Sequence, residues 1–200
     1  MQKIHVWSDY VCPFCLIADE LIERAISGRS DVEVVHHAHE LRPYPMPTLR
    51  PEEPYLPDIW ARAVYPMARR HQVPMTLPSI SPQPYTAAAF RGSLYAADQG
   101  VAHAYHRRVM TAFFQEDRDI GNRETLADLA ADVGLDTAGY LSALDDDTYA
   151  LRHRVALEES VHQGIQVVPT IVIGSRRIEG VATEDMIVRA LDDHTTRSVA

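Results

Sequence analysis

The chain has 200 residues, 46% of them hydrophobic and 24% charged, with a net charge of −9. That length supports one sizeable core plus a small subdomain, and the negative charge argues against nucleic acid and anionic membrane surfaces as partners. No apolar run approaches the roughly 20 residues needed to span a bilayer. The opening MQKIHVWSDY also lacks the basic and apolar regions of a secretory signal, so a cytoplasmic location is expected.

In chain order, KIHVWSDY alternates around Ile4 and Val6 and meets a polar stop at Ser8 and Asp9, the pattern of a short strand. A helix follows, with Pro13 in its first turn, where the missing N–H costs nothing. Phe14, Ile17, Ala18, Leu21, Ile22 and Ala25 recur at helical spacing, and Gly28 closes the segment. Residues 31–41, DVEVVHHAHEL, form a second strand. Six prolines between Pro43 and Pro57 then impose an extended connector.

From about Asp58 to Gln163 the periodicity is helical, in four or five segments broken at VPMTLPSISPQP, EDRDIGN and VGLDTAG. VVPTIVIG is a strand, SRRIEGV its hairpin partner, and ATEDMIVRALDD a last helix with Thr183 as N-cap. The order is β-α-β, a helical block, then β-β-α. Neither end can bury both faces of its strands alone. The expectation is one mixed four-stranded sheet, built from residues 1–56 and 164–200, with residues 57–163 as an inserted α-helical domain.

Cys12 and Cys15 are the only cysteines, and they bracket the start of the first helix. A zinc site usually needs four ligands, and no second cysteine pair exists. Histidines could complete a set. His37 and His39 would share one face of the second strand with His36 on the other, and His103 and His106 are three apart on a helix. Isolated histidines of this kind are more often ordinary residues, and no metal is expected.

A redox pair fits the position better. At a strand-to-helix junction, unpaired N–H groups and the helix dipole favour a thiolate at Cys12. Cys15, one turn further in, is placed to attack a mixed disulfide formed at Cys12.

SDYVCPFC, VVPTIVIG and RIEGVATEDMIVRAL together resemble the DsbA family of thioredoxin-fold proteins, in particular its FrnE-like branch. The resemblance spans essentially the whole chain. It implies an α/β thioredoxin fold with a large helical insertion, and protein disulfide oxidoreductase activity. It matches Cys12 and Cys15 to the active-site cysteines and Pro169 to the cis-proline that faces them. On that basis Val168 and Thr170 shape a substrate edge by strand addition. Disulfide-containing or thiol substrates are the expected partners, with glutathione a candidate co-substrate, no bound cofactor, and a monomer or homodimer as the assembly.

Two departures stand out. Strong oxidants of the family carry Pro-His between the cysteines. Here the pair is Pro13-Phe14, which offers a thiolate neither hydrogen bond nor charge, so a milder oxidant is expected. Many thioredoxin-fold enzymes also bury an acid six residues before the nucleophile. Here that position is Val6, and Asp9 and His5 are the nearby polar candidates, with Asp9 serving the chemistry, capping the helix or staying solvated.

The related 2-hydroxychromene-2-carboxylate isomerases and kappa-class glutathione transferases usually carry serine where Cys12 stands. Cys12 and Cys15 argue against that role, but the connector, residues 43–57, and the helical block could form a small-molecule pocket between them, so a glutathione-dependent isomerase or transferase is the enzyme alternative, and a client-binding, chaperone-like protein the non-enzyme one.

Overall fold

The computed structural model describes residues 1–198. Strand β1 (Gln2–Ser8) leads into α1 (Pro13–Ala25), and β2 (Val32–Ala38) returns parallel to β1, with Val6 opposite His36. Strand β3 (Thr170–Ile173) pairs antiparallel on the other edge of β1, with Val6 opposite Ile171, and β4 (Arg176–Glu179) pairs antiparallel to β3. The sheet order is β2-β1-β3-β4, one mixed sheet of four strands. The last helix, α9 (Glu184–Ser198), packs on α1 and β3. Thr183 receives the Met186 N–H at its Oγ1, 3.3 Å away, as its N-capping role requires.

The inserted segment holds α2 (Tyr55–Ile59), a π-helical turn (Trp60–Val64), α3 (Tyr65–His71), α4 (Ala87–Asp98), α5 (Ala102–Glu116), α6 (Arg123–Asp132), α7 (Thr137–Asp145) and α8 (Asp147–His162). These are more segments than periodicity suggested. Gly100, at φ +77°, separates α4 from α5. Asp146 adopts an extended backbone and its carboxylate accepts the Thr148 N–H, which starts α8 afresh. The π-turn precedes Pro66, whose missing N–H cannot close an α-helical bond to the preceding turn.

Ile4, Val6, Ile171 and Ile173 of the sheet, Ile17, Leu21 and Ile22 of α1 and Ile187 and Leu191 of α9 form one buried core. Each such side chain contributes about 1.5–3 kcal/mol by leaving water, so the face that anchors α1 is firmly held. Among the described residues no helix is long and apolar enough to cross a membrane.

Candidate active site

The end of β1 and the start of α1 set the thiols. Asp9 O accepts the Cys12 N–H at 3.0 Å, and Cys12 O accepts the Cys15 N–H at 3.0 Å. Cys12 is the N-cap of α1, with an extended backbone and Pro13 following it. Both cysteines are free and buried, Cys15 completely. Burial, reinforced by the adjacent Cys12 thiol, pushes the Cys15 thiol well above its ordinary range, while the Asp9 main chain pulls it slightly the other way.

The Val168–Pro169 peptide is cis. The Cys12 Sγ lies 3.7 Å from Val168 O, so a segment 156 positions away meets the Cys12 sulfur. Thr170 is buried and its Oγ1 donates to Val167 O at 2.7 Å, which fixes the turn into β3.

Cys12, Pro13, Phe14 and Asp9 line a cavity of about 150 Å³. Its other walls come from the insertion and the connector: Arg42 and Leu49, Leu56 and Trp60, Gln83 and Thr86. The connector and the proline-rich stretch before α4 are joined by the Gln83 N–H donating to Leu49 O at 2.8 Å, and together they wall the cavity. A pocket between the connector and the helical block was expected from the sequence, but neither the residues that wall it nor its place beside Cys12 was legible there.

Asp9 neither caps α1 nor stays solvated. It is 1% exposed, and its Oδ2 accepts the Leu41 N–H at 2.7 Å. Burial raises its carboxyl to about 6, partly offset by hydrogen bonds from the Leu41 N–H and Thr86, while the nearby Glu40 adds to the rise. A carboxyl with that proton affinity beside a thiol pair can exchange protons near neutrality. Val6, in contrast, is a fully buried apolar residue of the core.

The histidines take other places. His36 and His106 line a different cavity. His37 stacks on Trp7 and meets His5 at 2.8 Å. His39 does not share a strand face with His37, because β2 ends at Ala38; its ring instead meets Ser160 Oγ on α8 at 2.8 Å.

The DSBA-like thioredoxin domain matches residues 3–192. The chain is 43% identical over 192 residues to YwbO of Bacillus subtilis strain 168, an uncharacterized protein, covering 95% of this chain and 96% of that one. A probable DsbA oxidoreductase from Streptomyces coelicolor superposes with a TM-score of 0.81 at 22% identity, covering 98% of this chain and 91% of that one. The cytosolic disulfide reductase DsbM from Pseudomonas aeruginosa, also solved with GSH, superposes with a TM-score of 0.70 at 19% identity, covering 99% of this chain and all of that one. The two structural likenesses concern the fold. The chain belongs to the DSBA-like thioredoxin domain family.

Proposed function

We propose that this member of the DSBA-like thioredoxin family is a cytosolic thiol–disulfide oxidoreductase acting through Cys12 and Cys15. The geometry of the two free thiols carries the reading. Cys12 borders the cavity with its sulfur 3.7 Å from Val168 O, and Cys15 lies behind it, fully buried. With a disulfide substrate, the Cys12 thiolate attacks one sulfur and expels the other as a thiolate, which takes up a proton. Cys15 then releases its proton and its sulfur attacks Cys12 Sγ. The second substrate thiolate leaves, the Cys12–Cys15 disulfide forms, and two electrons have passed to the substrate.

Asp9 supports the step in which Cys15 loses its proton, since its buried carboxyl lines the same cavity as Cys12 and changes protonation near pH 6. Pro13 and Phe14 hold the helix start beside the sulfurs, and Val168, Pro169 and Thr170 form the edge along which a substrate chain lies. In a reducing compartment the resting form is the dithiol, so the net direction is reduction or isomerisation.

A glutathione redox titration of the pair, read by mass, tests this beside insulin-disulfide reduction. A reversible two-electron change and a rate that drops to background in Cys12→Ser are expected. No reversible change would remove the proposal, and a potential near −120 mV, roughly that of a strong periplasmic oxidant, would reverse its direction.

The cavity favours a second reading. Its walls are largely apolar, with Arg42 as their cation, which suits a small acidic molecule such as a glutathione conjugate. Isomerase or transferase activity retained in a Cys12→Ser, Cys15→Ser double variant would select that reading over disulfide exchange. Suppression of aggregation as the sole retained property would select client binding.

A further inference from the structure

A second cluster of polar side chains gathers around the same helix as the thiols, outside the cavity that Cys12 borders. Asp19 lies one turn beyond Cys15 on α1. Its Oδ2 is 2.7 Å from His106 Nε2 of α5, and the two side chains are only 5% and 1% exposed. His36 of β2 stacks on the His106 ring, with centroids 3.7 Å apart and planes 13° apart. One ligand atom from each of Asp19, His36 and His106 lies within 4.8 Å of the other two.

Three further observations point to a ligand. Asp19 Oδ1, His36 Nδ1 and His106 Nδ1 are all buried, and among the described residues none has a hydrogen-bond partner. His36 and His106 border a cavity of about 120 Å³, which they share with Tyr10, Phe90 and His153 and which has room for water. His36 also has an outer partner: its Nε2 is 3.1 Å from His103 Nδ1, and His103 Nε2 is 3.1 Å from Glu23 Oε1. One ring nitrogen is therefore left for a ligand while the other is oriented from outside, the arrangement that metal-binding histidines favour.

We propose that Asp19, His36 and His106 bind one divalent transition-metal ion of the zinc class, with water from the adjacent cavity completing its shell. Two imidazoles and one carboxylate suit such an ion, whereas magnesium and calcium take oxygen ligands. The ion takes the place of the hydrogen between His106 Nε2 and Asp19 Oδ2: the ring proton moves to the unpartnered His106 Nδ1, metal–nitrogen and metal–oxygen bonds form, and no electron is transferred. Tetrahedral coordination at about 2.0–2.1 Å brings ligand atoms to about 3.4 Å from one another, closer than the present outer spacing. One of the two parallel rings turns so that its lone pair aims at the ion. The ion then ties α1, β2 and α5 together.

The test uses the untagged Cys12→Ser, Cys15→Ser chain, because a reduced cysteine pair binds zinc by itself. Its outcome is thus separate from that of the redox reading. After chelator dialysis, zinc titrated against a chromophoric competitor should bind at one equivalent and raise the melting temperature. His36→Gln and Asp19→Asn should each weaken binding by at least about 100-fold, and His103→Gln, acting from outside the shell, by about 10–100-fold. His162→Gln, at an exposed position on α8, should leave it unchanged. Should the buried variants fail to fold, cobalt(II) added to the unsubstituted ligand set decides, through a visible ligand-field band that zinc abolishes. Absence of both the band and the zinc-induced stabilisation overturns the proposal. So does stoichiometric binding that survives His36→Gln and Asp19→Asn.

Discussion

Helix α1 carries two polar clusters about one turn apart, and they are built in opposite ways. At its start, Asp9, Cys12 and Cys15 come from one short stretch and are fixed by main-chain bonds between neighbours, with Val168 reaching Cys12 and Leu41 and Thr86 reaching Asp9 from elsewhere in the chain. One turn later, Asp19 meets His106, 87 positions away, and both meet His36 on the second strand. The thiol site depends on a local junction and borders a cavity. The Asp19 cluster depends on three elements packing together. A perturbation should therefore register as lost chemistry at the first cluster and as lost stability at the second.

The largest expected effect lies in the second cluster. Replacing His106 or Asp19 alone by Leu leaves a buried polar partner unmatched and should cost about 3–5 kcal/mol in urea unfolding. The double replacement should cost less than the sum of the two, because the pair is coupled. Single and double variants that simply add would show that the two side chains do not act together, and the contrast between the clusters would fail.

The next effect is at the thiol site and depends on pH. Asp9 holds its proton to about pH 6 in the folded chain, against 3.8 as its ordinary value. Below about pH 4 both folded and unfolded chains are protonated and Asp9 costs nothing. Between about pH 4 and 6 the folded chain keeps a proton that the unfolded chain has lost, so stability falls as pH rises. Above that range the full cost of the buried carboxylate, roughly 3 kcal/mol, is present. Glu40 acts on the same carboxyl, and Arg42 and Cys12 share its cavity, so the comparison is best made against Asp9→Asn. The variant should gain stability relative to the parent across this window and stay ahead at pH 7.5. A constant difference from pH 4 to 8 would mean that Asp9 is not held protonated.

The smallest effect sharpens the chemistry. Phe14→His adds a hydrogen-bonding, chargeable ring between the cysteines. It should make the pair more oxidising by about 30 mV, equivalent to about 1.4 kcal/mol, with little change in melting temperature. An unaltered potential would show that the milder pair expected from Phe14 has another origin.

Much of this was legible in the sequence. The strand before Cys12, the apolar stripe of α1 and the β-branched run after Pro169 each follow from local periodicity, and together they imply the mixed sheet. The helical block was legible as helical but not in its divisions. The breaks at Gly100 and Asp146 depend on one backbone angle and one capping carboxylate, which leave the surrounding periodicity intact. His36 and the His103–His106 pair were visible as separate candidates, and nothing local said that β2 and α5 would stack them.

The sequence by itself determined the element order, the placing of the cysteine pair at a helix start and the apolar faces that build the sheet, because these are set by residues a few positions apart. Tertiary packing alone decided that the connector walls a cavity beside Cys12, that Asp9 is sealed from water and held near pH 6, and that Asp19, His36 and His106 converge. Each of these depends on which surfaces lose water to one another. Desolvation and close contact act between residues far apart in the chain, where no spacing rule reaches.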